Sequence, residues 1–199
     1  LVVIGGGVIG LEMACYFASV GVHVIVVEMM PKIAGPTDEE ICKILMDTYG
    51  KRGMEFKLSS KVLEVTDHSV LYEAAGEKHE IPCDLVLLSA GRRPFTKGLG
   101  LEKLSIEMDR AAIVTDSHMR TNVAGVYAIG DCNGKLMLAH TAYREAEVAV
   151  HHMLGIKDEL RYEVVPSVIY TAPEVASVGE SKASAEAKAK LEDAQDQLK

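Results

Sequence analysis

The first thirty residues alternate between unbroken apolar runs and a single helical stripe. LVVI at 1–4 is β-branched and wholly apolar, the pattern of a parallel strand covered on both faces. GGGVIG follows at 5–10, and Ile9, Met13, Phe17 and Val20 then recur at helical spacing. Gly21 predicts the stop of that helix, and HVIVVE at 23–28 reads as a second buried strand. Thr37 and Glu40 stand at capping-box spacing before a predicted helix that turns Ile41, Ile44, Leu45 and Tyr49 inward and closes at Gly50 and Gly53. MEFKLSSKVLEV at 54–65 and SVLYEA at 69–74 read as shorter strands, and AAGEK is a turn into HEIPCDLVLLSAG at 79–91. After a looser stretch over 92–118, GVYAIGD predicts a strand ending in a Gly-Asp turn, and 139–154 a helix stopped by Gly155. RYEVVPSVIYT and EVASVG read as strands bounded by Pro166 and Pro173, and an Ala-rich, helix-forming tail ends the chain. This order predicts an α/β fold with domain boundaries near 118 and 160, and no internal repeat is visible.

Composition narrows the function classes. The 199 residues are 48% hydrophobic and 25% charged, enough to bury a core without disulfide staples. A net charge of −8 argues against a nucleic-acid or anionic-membrane partner. Every apolar run is broken by Gly or a charge well short of the roughly 18 residues of a membrane helix. Cys15, Cys42, Cys83 and Cys132 form no CxxC and no metal-ligand set, and read as reduced thiols of a cytoplasmic-type protein. The chain opens at Leu1 already inside a strand-like run, and so reads as part of a longer protein.

Gly5, Gly7 and Gly10 spell GxGxxG. The pattern alone is weak among 17 glycines, but here it directly follows a buried strand, opens a helix, and is answered by Glu28 at the end of the next strand, 18 positions after Gly10. Each residue has a physical reason to be there. Gly5 permits the tight turn, Gly7 lets backbone approach a pyrophosphate, and Gly10 lets helix and strand pack closely. The helix N-terminus offers free N–H groups and a positive dipole end. Glu28 would accept hydrogen bonds from both hydroxyls of an adenosine ribose and repel a 2′-phosphate, and Met29, Met30 and Pro31 offer no Arg to offset that repulsion, so NAD is expected over NADP. Without that context the segment would be a Gly-rich turn beside a solvated Glu.

The segments VVIGGGVIGLE, LLSAGRRPFT, GVYAIGD, MLAH and VPSVIYTAPEVASVG, in this order from Leu1 to about Glu180, resemble the dihydrolipoyl dehydrogenases. These are flavin-dependent pyridine nucleotide–disulfide oxidoreductases. The resemblance implies a Rossmann-like NAD-binding domain of three-layer ββα form over 1–118. It implies the C-terminal segment of a FAD-binding domain over 119–160, and the start of an α+β dimerisation domain with an atypical helical tail over 161–199. It places Gly5, Gly6, Gly7, Val8, Ile9, Gly10, Leu11 and Glu12 on the NAD pyrophosphate and nicotinamide side, Glu28 on the ribose, Val62 at the adenine and Gly91 against the nucleotide. Glu12 would pair with a Lys beside the flavin, outside this chain; read on its own it is an exposed first-turn carboxylate. Ile9 would cover the nicotinamide, or simply pack helix on strand. Asp131 would hold the ribityl chain of FAD, with Met137, Leu138, Ala139 and His140 against the isoalloxazine. On local grounds GD is only a turn and His140 a satisfied helix-start histidine, with no acid–base role assigned.

The same resemblance implies that a FAD domain with the redox CxxxxC pair precedes Leu1 and that the acid–base His–Glu pair follows the last residue. No catalytic residue is therefore expected here, and the chain alone is expected not to turn over dihydrolipoamide. It further implies NAD and FAD as cofactors, a homodimer, and the lipoyl domain of a 2-oxo acid dehydrogenase or glycine cleavage complex as partner, in the cytoplasm or mitochondrial matrix. Three alternatives stay open at this level: a stand-alone, non-catalytic nucleotide-binding module, another disulfide reductase of the same family, and a purely structural assembly fragment that pairs with a second subunit through VPSVIYTAPEVASVG.

Overall fold

The computed structural model describes residues 1–196, with side chains described through Leu191. It opens with β1 (Val2–Ile4), α1 (Val8–Ser19), β2 (Ile25–Val27), α2 (Glu39–Gly50) and β3 (Glu55–Lys57). An antiparallel meander of β4 (Ser60–Val65), β5 (Ser69–Ala74) and β6 (Glu77–Pro82) follows, and the chain then returns to β7 (Val86–Leu88). The parallel sheet runs β3-β2-β1-β7, so the order reverses at β1: the chain winds outward through β2 and β3 and comes back to the other side of β1. The carboxyl end of β1 is therefore the switch point where open α/β sheets bind ligands.

Alternation along the short strands builds the layers. Val3 and Val26 pack with Leu11, Ala14, Cys15, Leu45 and Tyr49 of α1 and α2. Val2 and Val27, one residue away on each strand, pack with Val70, Tyr72 and Ile81 of the meander. These four valines are each 1% exposed or less, and burying each contributes about 1.5 kcal/mol. The result is the expected ββα sandwich: meander, parallel sheet, helices.

The structure corrects which faces the first two helices bury. Leu11, Ala14 and Cys15 face the sheet, while Ile9 is 46% and Val20 61% exposed. α1 is apolar nearly all round, so its stripe was ambiguous, and the small Ala14 and Cys15 let the helix sit close to β1. In α2 the cap is Asp38, whose Oδ1 accepts the Glu40 N–H at 3.1 Å, rather than Thr37. Cys42 joins Leu45 and Tyr49 inside, leaving Ile41 and Ile44 exposed.

Among the described residues, 1–91 with 168–196 form one compact unit, and Arg92–Ser167 a second. The second holds a 3-10 turn at Leu101–Leu104, the small hairpin β8 (Met108–Asp109) and β9 (Ala112–Ile113), a 3-10 turn at Gly130–Asn133 and α3 (Ala139–Met153). GVYAIGD forms no strand among the described residues: its pairing is one bridge, Arg120 to Tyr127, because no longer neighbour runs beside it. RYEVV likewise folds as a 3-10 turn, Tyr162–Val164. β10 (Ser167–Ile169) and β11 (Val175–Ser177) make a two-stranded sheet, and α4 (Lys182–Asp196) is exposed as far as Leu191. No helix among the described residues is long and apolar enough to cross a membrane.

Candidate dinucleotide and flavin sites

At the end of β1 the backbone turns within a space that admits no side chain. Gly5 has φ +107°, and a Cβ there would lie 2.2 Å from the Ser89 carbonyl oxygen. A Cβ on Gly10 would lie 2.1 Å from the Gly5 carbonyl oxygen, so the first turn of α1 sits directly against the loop. Gly7 differs: no atom lies within 4 Å of its Cβ position. Packing does not demand a glycine there; the position faces open space, which a side chain would occupy. Leu11 N–H donates to Gly7 O at 3.0 Å, the first bond of α1, and no side chain caps the helix. The N–H groups of Gly7, Val8, Ile9 and Gly10 are thus without a protein acceptor among the described residues. Uncapped donors beside open space at a helix N-terminus are what a pyrophosphate requires.

Glu28 closes one side of this loop. Its Oε2 accepts the Gly6 N–H at 2.6 Å and its Oε1 the Met30 N–H at 2.7 Å. Each carboxylate oxygen keeps a lone pair for a further donor, such as a ribose hydroxyl. Lys32, the nearest cation in sequence, is turned elsewhere, its Nζ donating to the Thr37 carbonyl at 2.6 Å. Val62 lies on β4, half-buried against the meander core, and Gly91 (φ +109°) ends the segment after β7 with nothing within 4 Å of its Cβ position.

Two residues near the loop differ from their sequence reading. Leu11 is fully buried in the core and its N–H is spent on Gly7, so it offers a nucleotide neither side chain nor donor. Glu12 lies beyond the first turn of α1, half-buried, and its Oε1 accepts the Tyr170 N–H at 2.9 Å; it is not an exposed first-turn carboxylate. Sequence reasoning passed over Ser89, whose carbonyl forms the wall behind Gly5, and Ala34, which holds Gly6 O through its N–H at 2.8 Å from the left-handed region (φ 59°). Nothing in a one-dimensional pattern marks either residue.

In the second unit, Asp131 sits in the Gly130–Asn133 turn, its Oδ2 accepting from Arg92 Nη2 at 2.8 Å. Its Oδ1 has no protein donor among the described residues. The turn is held by Glu145 of α3, whose side chain is 0% exposed. Glu145 Oε2 accepts the Gly130 N–H and the Asn133 side-chain amide at 3.0 Å, and Oε1 accepts the Tyr162 hydroxyl at 2.6 Å. Burial, reinforced by this bond to a carboxylate, holds the Tyr162 phenol well above its ordinary range. Met137 and Leu138 are half-buried at the entry to α3, Ala139 and His140 are exposed on its first turn, and no side chain caps that helix. His140 Nε2 donates to the Pro166 carbonyl at 2.8 Å, which fixes the tautomer and occupies the ring. Arg92 and Glu145 were not singled out from the sequence. Glu145 carries a signal that was available: it shares a helix face with Val148 and Ala149, where an acidic residue needs donors around it.

Cys15, Cys42, Cys83 and Cys132 are free thiols, and burial pushes those of Cys42 and Cys132 up from the usual range.

Comparison with known proteins places the chain in a family. The pattern of the pyridine nucleotide-disulphide oxidoreductase family matches residues 1–146. Dihydrolipoyl dehydrogenase 3 of Pseudomonas putida is 42% identical over 188 residues, covering 92% of this chain and 40% of the relative. The mitochondrial dihydrolipoyl dehydrogenase of Pisum sativum is 43% identical over 189 residues, covering 92% of this chain and 38% of the relative. Among solved structures, LpdA from Mycobacterium tuberculosis superposes with a TM-score of 0.84 at 31% identity, over 94% of this chain and 41% of that one. The chain thus spans about two-fifths of the length of the relatives it matches. With the loop, the acidic strand end and a family match over most of its length, this chain belongs to the pyridine nucleotide-disulphide oxidoreductase family.

Proposed function

We propose that this chain supplies the NAD-binding domain and the flavin-contacting segment of an NAD-dependent dihydrolipoyl dehydrogenase. The observation that carries the reading is the presence of two unlike cofactor turns in one chain. One is an open, uncapped glycine loop with Glu28 fixed beside it, and the other a turn that presents Asp131 with one carboxylate oxygen unengaged. A pure NAD module has no use for the second.

In this reading residues 1–118 bind NAD, 119–160 complete a FAD domain and 161–199 begin a dimerisation domain. The N–H groups of Gly7 to Gly10 take the pyrophosphate, and Glu28 takes the ribose hydroxyls with its remaining lone pairs. Val62 and Gly91 flank the nucleotide, and Ile9, half-exposed on the first turn of α1, covers the nicotinamide face. Asp131 Oδ1 takes a ribityl hydroxyl, and Met137 to His140 approach the flavin through the uncapped start of α3, whose dipole favours negative charge. The overall reaction removes two electrons and two protons from a protein-bound dihydrolipoyl dithiol, forming its disulfide; NAD⁺ takes a hydride and one proton goes to solvent. When bound, FAD relays the electron pair between a redox disulfide and the nicotinamide. Partners in this reading are a second copy of the chain and a lipoyl domain of a 2-oxo acid dehydrogenase or glycine cleavage complex, in the cytoplasm or mitochondrial matrix.

The test is the visible spectrum of the native protein, titrated separately with dihydrolipoamide, NADH and NADPH. A flavin band that bleaches with the first two and resists NADPH is expected. A missing band, a band indifferent to dihydrolipoamide, or equal response to both nucleotides would overturn the reading.

A further inference from the structure

We propose that Glu28 is a positioning residue for the phosphate loop as well as a reader of the ribose, so that the two halves of the nucleotide site are mechanically tied through one carboxylate. The inference rests on the reading of this loop as a dinucleotide site and goes beyond it.

The loop has three glycines in a row, and they are anchored differently. Gly5 is fixed by backbone: its N–H donates to Val27 O at 2.9 Å and Ser89 closes behind it. Gly7 is fixed by backbone as well, its carbonyl accepting the first helical N–H, that of Leu11, at 3.0 Å. Gly6 lies between them, and its N–H is held by a side chain, Glu28 Oε2 at 2.6 Å, while its carbonyl is held by Ala34 N–H at 2.8 Å. The fit is close on that side: a Cβ on Gly6 would lie 3.2 Å from Glu28 Cβ, from Glu28 Oε2 and from Ile33 Cγ2. Glu28 is in turn oriented by the Met30 N–H on its other oxygen. The carboxylate that reads the ribose therefore arrives already aimed, and the same bond sets the loop whose free N–H groups meet the phosphates. Removing the carboxylate to admit a 2′-phosphate also releases Gly6, so Glu28→Ala loses affinity for NADPH as well as for NADH.

The pair AMP and ADP separates the two roles. Both carry the adenosine ribose, but only ADP adds the second phosphate that the loop would hold. Calorimetric titration of the chain, and of Glu28→Ala and Glu28→Gln, with each nucleotide gives the preference for ADP over AMP. A hydrogen bond to a charged group is worth enough that this preference is expected to fall about tenfold in Glu28→Ala. It falls less in Glu28→Gln, whose one amide oxygen accepts one N–H while its NH₂ faces the other. If AMP and ADP weaken by the same factor in both variants, Glu28 reads the ribose alone and the proposal is overturned. Hydrogen exchange of the Gly6 amide in the nucleotide-free protein supplies a second readout, independent of any ligand. It should quicken in Glu28→Ala, and exchange at the wild-type rate in that variant would also overturn the proposal. If the wild type binds neither nucleotide yet Gly6 exchange responds, the dinucleotide reading has failed and the positioning bond stands.

Discussion

The two turns read as cofactor sites use the same bond in opposite settings. In each, a glycine N–H donates to a glutamate: Gly6 to Glu28 in the first unit and Gly130 to Glu145 in the second. Glu28 is half-buried, one residue past β2, and keeps lone pairs directed away from protein donors. Glu145 is fully buried and surrounded by three protein donors, out of reach of a ligand in solvent. A carboxylate that is partly exposed can meet a ligand; one that is wholly buried among protein donors holds the protein. Under the proposed function the difference leaves Glu28 free for recognition and Glu145 for support, and the substitutions that follow test that division.

The largest effect is expected where backbone meets backbone. Gly5→Ala must place a Cβ 2.2 Å from Ser89 O at φ +107°, and neither atom belongs to a flexible side chain. Adding a strained left-handed conformation to overpacking, the loss is about 4 kcal/mol of stability. Gly130→Ala meets only the Ala142 methyl at 3.2 Å and φ +73°, and should cost about 2 kcal/mol. Chemical denaturation of both variants gives the ordering. If Gly130→Ala is the worse, the first turn is not the more tightly packed of the two.

That asymmetry also explains what the sequence disclosed. The first loop announces itself because its constraint is local: Gly5, Gly7 and Gly10 fall within six residues, between a strand and a helix that the apolar runs predict. The second is held by Arg92 and Glu145, 39 and 14 positions from Asp131, and no short pattern records such distances. The layers were legible for the same reason as the loop, since buried parallel strands leave continuous apolar runs. The inward faces of α1 and α2 were not, because helices with apolar residues all round, or with Cys42 in place of a larger side chain, do not disclose their orientation. GVYAIGD was misread because strand propensity is realised only beside a partner strand.

Next in size is the contrast between the two glutamates. Glu145→Ala leaves the buried Gly130 N–H and Asn133 amide without that acceptor and the Tyr162 hydroxyl with only the Met119 sulfur, and should cost about 3 kcal/mol. Glu28→Ala, at a half-exposed site, should cost about 1 kcal/mol or less while abolishing the preference for NADH over NADPH. Paired melting curves and nucleotide titrations would refute the division if Glu145→Ala melts like the wild type.

A smaller effect lies in the pH dependence of the second unit. Arg144, and then His151 through its Nδ1 at 2.7 Å, hold Asp158 well below the usual carboxylate range. A lowered folded value means that this stabilisation is complete above the unfolded carboxylate pKa, roughly 4, and is lost as the pH falls below it. Tyr162 has the opposite sign. Its raised value means that stability is retained below the unfolded phenol pKa, roughly 10, and declines as the pH rises past it. Melting temperature followed from acid to alkaline pH should show both limbs. Asp158→Asn should flatten the acid limb and Tyr162→Phe the alkaline one; an alkaline limb that survives Tyr162→Phe would assign it to another group.

The smallest effect on folding belongs to Arg92. Its guanidinium reaches Asp131 Oδ2 at 2.8 Å, but the two side chains are 60% and 42% exposed, where water and salt screen the pair. Arg92→Gln should therefore change stability by about 0.5 kcal/mol or less, and that little should vanish in high salt. Its geometric consequence is greater than its energy, because the bond chooses which oxygen of Asp131 stays unengaged. If Asp131 holds a flavin ribityl hydroxyl, Arg92→Gln should leave the melting curve of the apoprotein unchanged while loosening retention of flavin in the native protein, measured as the flavin released on dilution. Glu145→Ala should disturb both. A variant at Arg92 that melts early but retains its flavin would place that residue with Glu145 among the supports, and would leave Asp131 to orient itself.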